Sequence, residues 1–157
     1  MKSILINNNL SFDYPESYRP MTDAEMQELK FLGGPCDVCL THPESHVIIS
    51  IAHKNINGFA AMMLNTKDII MKSEKAIRRA NAPYNYQLRG FIKEKFGGQI
   101  ADGFSYYYHA HDIDMSCTTY VVKYKKTIYY FYVYVRDSLK DQAATEWQQM
   151  TSTFNWQ

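Results

Sequence analysis

Hydrophobic residues are densest over residues 117–137, where β-branched and aromatic side chains follow one another almost without interruption. This composition is typical of β-strands, and the polar Lys125-Lys126 pair in its middle predicts the tip of a β-hairpin. Because successive side chains of a strand point to opposite faces, residues 128–136 would be apolar or aromatic on both faces. We therefore predict that the hairpin lies inside a sheet, with a further layer over each face. The two faces carry Tyr129, Phe131, Val133 and Val135 on one side, and Ile128, Tyr130, Tyr132 and Tyr134 on the other.

The first half of the chain predicts two strand pairs and two helices. Thr22 and Glu25 form a capping-box pattern that predicts a helix start at Asp23, and the Gly-Gly-Pro sequence at 33–35 predicts its end. Apolar residues at helical spacing over 66–80, with lysines and arginines between them, predict an amphipathic helix with a basic face. Strands are predicted over residues 4–6 and 10–14, joined at three asparagines, and over residues 36–41 and 47–54.

The second half is predicted to consist mainly of strands. Residues 86–96 and 100–109 are predicted strands on either side of a Gly97-Gly98 turn, followed by a polar loop over 112–116 and the central hairpin. Ser138 then resembles the start of a C-terminal helix. This order predicts an α+β fold in one domain over residues 1–157: a largely antiparallel β-sheet covered by helices, as an α/β/α sandwich.

Composition and charge narrow the function classes. The chain has 157 residues, of which 46% are hydrophobic and 21% charged, as in one globular domain with a substantial core. The formal net charge of +1 does not predict bulk attraction to nucleic acid or to an anionic membrane. The basic face of the predicted helix over 66–80 is accordingly interpreted as solvent-exposed, and nucleic-acid binding is the weakest hypothesis.

The cysteines and the N-terminus predict a cytoplasmic location. Three cysteines cannot all pair within one chain, and a chain of this length does not need disulfides to fold, so a reducing compartment is the simpler interpretation. The apolar run over residues 4–6 ends at three asparagines and is too short for the core of a signal peptide. No stretch approaches the ~18 apolar residues of a membrane span.

Four segments together resemble the PsbP-like superfamily: residues 9–15 (NLSFDYP), 97–108 (GGQIADGFSYYY), 126–138 (KTIYYFYVYVRDS) and 151–156 (TSTFNW). The superfamily includes the extrinsic PsbP subunit of photosystem II, a Ran-binding nuclear-import factor and many uncharacterised bacterial proteins, and this chain looks most like the bacterial ones. The resemblance implies an antiparallel sheet between helices and a protein that docks on protein partners without a shared active site. It implies no cofactor, and no contact residue of a relative is carried over to a position here.

Cys36 and Cys39 form a C-x-x-C motif followed by His42 and His46, which makes zinc binding a hypothesis to consider. Residues three apart on a strand point to opposite faces, so both sulfurs could meet one metal only if the chain turned sharply there. We favour the alternative, in which the cysteines are small core residues beside a polar turn.

A second group with metal-binding chemistry lies between two predicted strands. His109, His111, Asp112 and Asp114 place two imidazoles and two carboxylates within six positions, and the histidines would share one strand face. This group would be the centre of a small-molecule or metal-assisted enzyme, which is the alternative function. We favour a polar loop, because two histidines without a third committed ligand make a weak site. The sequence contains no G-x-S-x-G, P-loop or H-E-x-x-H pattern.

The main functional hypothesis is a non-catalytic interaction module, because tyrosines are unusually abundant. The chain has 13 of them, and a phenol combines a large apolar ring with a hydroxyl that needs a hydrogen-bond partner when buried. We predict that a tyrosine-rich sheet surface and its adjoining loops bind an unknown protein or peptide partner. The candidate residues are Tyr106, Tyr108, Tyr130, Tyr132 and Tyr134.

Overall fold

A computed structural model describes residues 1–29 and 36–157, and its main feature is a seven-stranded antiparallel sheet. Within these ranges the strands are β1 (Lys2–Ile6), β2 (Leu10–Tyr14), β3 (Arg19–Pro20), β4 (Val38–His42), β5 (Val47–Asn55), β6 (Gln87–Phe96), β7 (Gln99–Ala110), β8 (Ile113–Tyr124), β9 (Thr127–Arg136) and β10 (Asn155–Trp156). The large sheet has the order β3-β4-β5-β9-β8-β7-β6, while β1, β2 and β10 form a second sheet.

Helices and the small sheet cover the large sheet. The described helices are α1 (Asp23–Glu28), α2 (Gly58–Met63), α3 (Thr66–Ala80) and α4 (Lys140–Thr151). One side of the large sheet, the α3 face, packs against α3, which contacts β7 and β8. The other side, the α4 face, packs against α4 and the small sheet around Phe12, Phe131 and Trp147. The predicted α+β architecture with a layer over each face is therefore confirmed.

The central hairpin lies where its pattern predicted. β9 is the middle strand of the large sheet, between β5 and β8. Phe131 on its α4 face and Ile128 on its α3 face are both buried. Because burying one such side chain stabilises the fold by about 1.5–3 kcal/mol, a strand that is apolar on both sides is most stable at the centre of the sheet.

The pairing of β7 with β8 depends on Gly103, which lies opposite Tyr120. A Cβ atom at position 103 would overlap the backbone carbonyl oxygen of Thr119 and lie 2.7 Å from Cδ1 of Tyr120. The missing side chain therefore lets the Tyr120 ring lie over β7, where it packs against both Phe96 and Trp147 at centroid distances of 5.0 and 6.0 Å.

The predicted polar loop over residues 112–116 is wrong, because β8 already begins at Ile113 and pairs with β7 from there to Val122. The connection is a two-residue turn at His111 and Asp112, with φ angles of 51° and 61°. Positive φ at both central residues is what a type I′ turn requires, and the twist of this two-residue hairpin turn matches that of the strands. Polar composition alone cannot distinguish such a turn from a longer loop.

Replacing this turn with the doubly substituted His111→Asn, Asp112→Gly sequence is expected to raise the free energy of unfolding by about 1 kcal/mol. Asn and Gly adopt positive φ at lower cost than His and Asp do. Urea unfolding of the variant beside the unchanged protein measures the difference. A midpoint that falls would show that the side chains of His111 and Asp112 stabilise the turn by other means.

Other boundaries differ from the prediction in small ways. The α1 start at Asp23 is confirmed, with both capping-box hydrogen bonds between Thr22 and Glu25. The described helix ends at Glu28, and the Gly-Gly-Pro sequence at 33–35 that was predicted to end it lies outside the described residues. α4 starts at Lys140 after a short 3₁₀ turn rather than at Ser138. α2, β3 and β10 were not predicted. In the described ranges no helix has the length and apolar character needed to cross a membrane.

Candidate functional site

The structure brings the five candidate tyrosines together on the α3 face. Tyr106 and Tyr108 lie on β7, and Tyr130, Tyr132 and Tyr134 lie on β9, one strand away across β8. Tyr106 and Tyr134 are buried, whereas the other three are half-buried and keep part of their surface in solvent. We call these five residues the tyrosine face.

The rings of the tyrosine face form rows along their strands. Tyr132 and Tyr134 stack with ring centroids 6.4 Å apart and planes 12° apart, and Tyr106 and Tyr108 stack at 6.2 Å and 22°. Tyr86, just before β6, extends the second row by stacking on Tyr106 at 5.4 Å. Residues two apart on a strand share a face, which is why the alternating sequence produces these rows.

A buried carboxylate on α3 fixes one end of the tyrosine face. Glu74 accepts hydrogen bonds from the Tyr86 hydroxyl at 2.9 Å and from two nitrogens of Arg78 at 2.9 and 2.8 Å. Glu74 is buried, so these donors replace the water that its charge would otherwise require. α3 is thereby held over β7, and the half-buried tyrosines of β9 lie to one side of it.

Burial sets the ionisation of the half-buried tyrosines. Loss of solvent raises the pKa of Tyr108 and of Tyr132 to about 12, and it raises the pKa of Tyr130 as well. All three hydroxyls are therefore neutral at physiological pH, where each can both donate and accept a hydrogen bond. The surface offers aromatic rings and uncharged polar groups together.

These shifts predict a loss of stability in alkali. A phenol whose pKa is raised on folding favours the folded state below its unfolded pKa, near 10, and loses that effect as the pH rises towards 12. The free energy of unfolding is expected to fall over this range, less steeply in a Tyr132→Phe variant that has one fewer titrating group. Denaturant titrations at several pH values measure the slope. Equal slopes for the two proteins would contradict the assignment to Tyr132.

Cys117 lies on β8 between the two tyrosine rows and is the free cysteine among the described residues. Burial raises the pKa of its thiol to about 12, so the nucleophilic thiolate is scarce at neutral pH.

We therefore expect no rapid reaction of the folded, unreduced protein with a thiol reagent at pH 8. In denaturant we expect one reactive thiol per chain, rising to all 3 cysteines after reduction, because Cys36 and Cys39 are joined in a disulfide. Mass spectrometry of the alkylated protein counts them. A thiol that reacts quickly in the folded protein would contradict the burial of Cys117.

The structure joins Cys36 and Cys39 in a disulfide, so the favoured prediction of two separate small core residues is wrong, and the sulfurs are not arranged as the zinc hypothesis required. The chain bends at Asp37 before β4 begins, which lets two sulfurs three residues apart meet. His42 is buried, its Nδ1 accepts a hydrogen bond from the Ser45 amide at 3.2 Å, and its ring packs edge-on against Tyr18. His46 is exposed in the following turn, with φ 58°.

The second candidate metal group is only partly assembled. His109 Nδ1 lies 2.7 Å from Asp114 Oδ1, and the hydroxyl of Tyr107 donates to the same oxygen, which lowers the pKa of Asp114. His111 and Asp112 form the exposed turn beyond this pair. Across residues 1–29 and 36–157, no three His, Cys, Asp or Glu side chains converge as a metal site would require. Metal binding at either group remains a prediction.

The structure also forms a polar network that the sequence analysis missed. Arg89 donates to Ser116 Oγ at 2.7 Å and to Asp137 at 2.9 Å, and the Ser116 hydroxyl donates to the same Asp137 oxygen at 2.7 Å. These donors lower the pKa of Asp137. The network lies on the α4 face, at the rim of a cavity of about 500 Å³ beside α4. Its members are 21 to 48 residues apart in the chain, so no local pattern could identify it.

No protein-family model matches the sequence, and no curated protein matches it, whereas solved structures do. Cyanobacterial PsbP (CyanoP) from Synechocystis sp. PCC 6803 aligns over 99% of this chain and 92% of its own, with a TM-score of 0.69 and 13% identity. LpqN of Mycobacterium tuberculosis, involved in cell envelope biogenesis, aligns over 94% and 82%, with a TM-score of 0.66 and 8% identity. PA94 from Pseudomonas aeruginosa, described as a putative regulator of unknown function, aligns over 98% and 94%, with a TM-score of 0.55 and 10% identity.

These alignments span nearly the whole chain, and the shared architecture is the one built above from two-sided strands and covering helices. At sequence identities this low, the alignments show a shared fold and do not show a shared function. The chain therefore has the PsbP-like fold.

Proposed function

We propose that this protein is a non-catalytic interaction module of a bacterial cytoplasm that binds a protein or peptide partner through the tyrosine face and its adjoining loops. The observation that carries the proposal is the state of Tyr108, Tyr130 and Tyr132, whose rings are ordered by packing yet remain half-exposed. Tyrosine is enriched in protein interfaces because its large ring is rigid and its hydroxyl can pair with a partner.

The geometry supports a binding surface more than a catalytic one. The hydroxyls of the half-exposed tyrosines are neutral, since the pKa of each is raised, and Cys117 beneath them is a buried, protonated thiol. Neither group is a nucleophile or general base at neutral pH. The solved structures with this fold include a PsbP and a protein of cell envelope biogenesis, and such a range of settings is consistent with a scaffold for docking.

Site-specific photocrosslinking tests the proposal directly. A benzophenone amino acid in place of Tyr132 is expected to give discrete protein adducts in cells, because the position is half-exposed on the proposed surface. Gln148 is a matched control, since it is exposed on α4, on the opposite side of the large sheet. The same adducts from both positions, or none from position 132, would count against the tyrosine face as the docking surface.

Side-chain variants separate binding from folding. Tyr130→Ser combined with Tyr132→Ser is expected to weaken capture of the crosslinked partner at least tenfold, since both rings leave the surface. Tyr130→Phe with Tyr132→Phe keeps both rings, so this variant is expected to weaken capture of the partner less than the serine pair does. Circular dichroism and urea unfolding check that both pairs fold. A serine pair that folds and binds normally would overturn the proposal.

The proposed cytoplasmic location and the Cys36–Cys39 disulfide of the structure predict opposite redox states, so the state of this pair in cells tests the location. In a reducing cytoplasm, rapid alkylation during lysis should trap Cys36 and Cys39 as free thiols, because glutathione and thioredoxin keep such pairs reduced. Recovery of the Cys36–Cys39 pair in its oxidised form would instead favour an oxidising compartment.

A further inference from the structure

Helix α2 directs its large apolar side chains into solvent. Phe59, Met62 and Met63 are 75%, 83% and 69% exposed, and their i, i+3, i+4 spacing places them on one side of the helix. The small residues Ala60 and Ala61 take the half-buried side. A surface helix normally buries its large apolar residues, so this reversed arrangement marks a contact surface.

The position of α2 is fixed by hydrogen bonds at both ends. The Asn57 side chain accepts from the Ala60 amide at 2.7 Å and caps the N-terminus. The Lys123 ammonium group, on β8, donates to the carbonyl oxygens of Ala61 and Leu64 at 2.7 and 2.9 Å. Capping and charge at the C-terminal carbonyls both stabilise a short helix, so the exposed methionines belong to an anchored element.

A cleft of about 640 Å³ lies beside these side chains, between the start of α3 and the hairpin of β6 and β7. Met62, Met63 and Ile100, which is 47% exposed, line it with apolar surface. Lys67 and Lys93 also line the cleft, and both are exposed.

The charged side chains of this cleft that have no partner among the described residues are positive. Its carboxylate, Asp102, is buried and accepts a hydrogen bond from the Thr66 hydroxyl at 2.6 Å, and Lys123 is bound to the α2 carbonyls. In the part of the chain that the structure describes, Lys67 and Lys93 form no ion pair. They are the two cations of the cleft that remain for a ligand.

We propose that α2 and this cleft bind an acidic amphipathic segment of a partner protein. Its apolar side chains pack on Phe59, Met62 and Met63, and its carboxylates pair with Lys67 and Lys93. Methionine is flexible and polarisable, which suits a surface that receives the apolar side of a helix. An acidic amphipathic segment carries apolar side chains and carboxylates together, so it can contact the apolar residues of α2 and the two lysines of the cleft at once. The residues differ from those of the tyrosine face, so the two proposals can fail separately.

Fluorescence anisotropy with two designed peptides tests this inference. One labelled helical peptide carries leucines on one side and glutamates on the other, and the second has lysine in place of every glutamate. The protein is expected to bind the acidic peptide at least tenfold more tightly than the basic one. Met62→Ser with Met63→Ser should weaken binding of the acidic peptide at least tenfold, while Leu5→Ser, an exposed apolar residue on β1, should leave it unchanged.

Charge reversal gives the sharpest outcome. Lys67→Glu with Lys93→Glu should invert the preference so that the basic peptide binds more tightly, which general damage to the surface cannot produce. Equal affinity for the two peptides, no binding of either, or an unchanged preference in this variant would overturn the proposal. Binding to phosphatidylglycerol vesicles without binding of the acidic peptide would also overturn it and assign the surface to a membrane.

Discussion

Replacement of Gly103 by alanine is expected to lower the free energy of unfolding by about 3 kcal/mol, a large share of the stability of a single domain. The added methyl group would overlap the Thr119 carbonyl oxygen, which belongs to the paired backbone of β8, and would press on the Tyr120 ring. Backbone in the middle of a sheet cannot move without breaking ladder hydrogen bonds. Tyr120 packs against both Phe96 and Trp147, so its ring has little freedom to move away.

Gly58→Ala is the matched control for this change. A Cβ atom there would lie 3.5 Å from Cε of Lys126, an ordinary van der Waals contact, and alanine is the better helix former at the first position of α2. Urea unfolding should therefore show unchanged or slightly higher stability for Gly58→Ala and a much lower midpoint for Gly103→Ala. Similar stabilities of the two variants would show that the paired strands β7 and β8 can move apart enough to accommodate the methyl group.

Where local patterns decide the structure, the sequence analysis predicted the fold well. The two-sided apolar pattern over residues 128–136 predicted a central strand, and β9 is the middle strand of seven. Glycines 97 and 98, both with positive φ, form the predicted turn between β6 and β7. The predicted helix over 66–80 has the bounds of α3, because a long amphipathic period is a strong signal.

Short or pairing-dependent elements could not be predicted in this way. β10 has two residues and exists because Asn155 and Trp156 reach β2, at the far end of the chain. β8 begins within a polar stretch because pairing with β7 determines where it starts. α2 was missed because its six residues expose large apolar side chains, contrary to the usual amphipathic pattern.

For the candidate site, too, local alternation could be predicted from the sequence and tertiary packing could not. Alternation along β7 and β9 was enough to place the tyrosines of each strand on one face, since side chains two apart share a side. The sequence could not show that α3 would lie over β7 and β8, leaving Tyr130 and Tyr132 half-exposed. The hydrogen bond between Tyr86 and Glu74, which fixes that position, joins residues brought together by the turn after α3.

Trp147→Ala is expected to have the largest effect, lowering the free energy of unfolding by about 4 kcal/mol. Trp147 is buried on α4, and its ring contacts four other rings at centroid distances of 5.7 to 6.1 Å. These rings belong to β6, β8, β9 and the segment before β10, so this one side chain joins α4 to the large sheet and to the C-terminus. The rings are those of Phe96, Tyr120, Phe131 and Phe154.

Two further variants show whether packing is the cause. Trp147→Phe keeps an aromatic ring at this position, while it loses ring volume and the polar contact of the indole nitrogen with the Tyr120 hydroxyl. We expect Trp147→Phe to lower the free energy of unfolding by less than half as much as Trp147→Ala does. Gln148→Ala, at the exposed neighbouring position, should change it by no more than about 0.5 kcal/mol. Equal losses of stability for Trp147→Phe and Trp147→Ala in urea unfolding would contradict ring packing as the main contribution of Trp147.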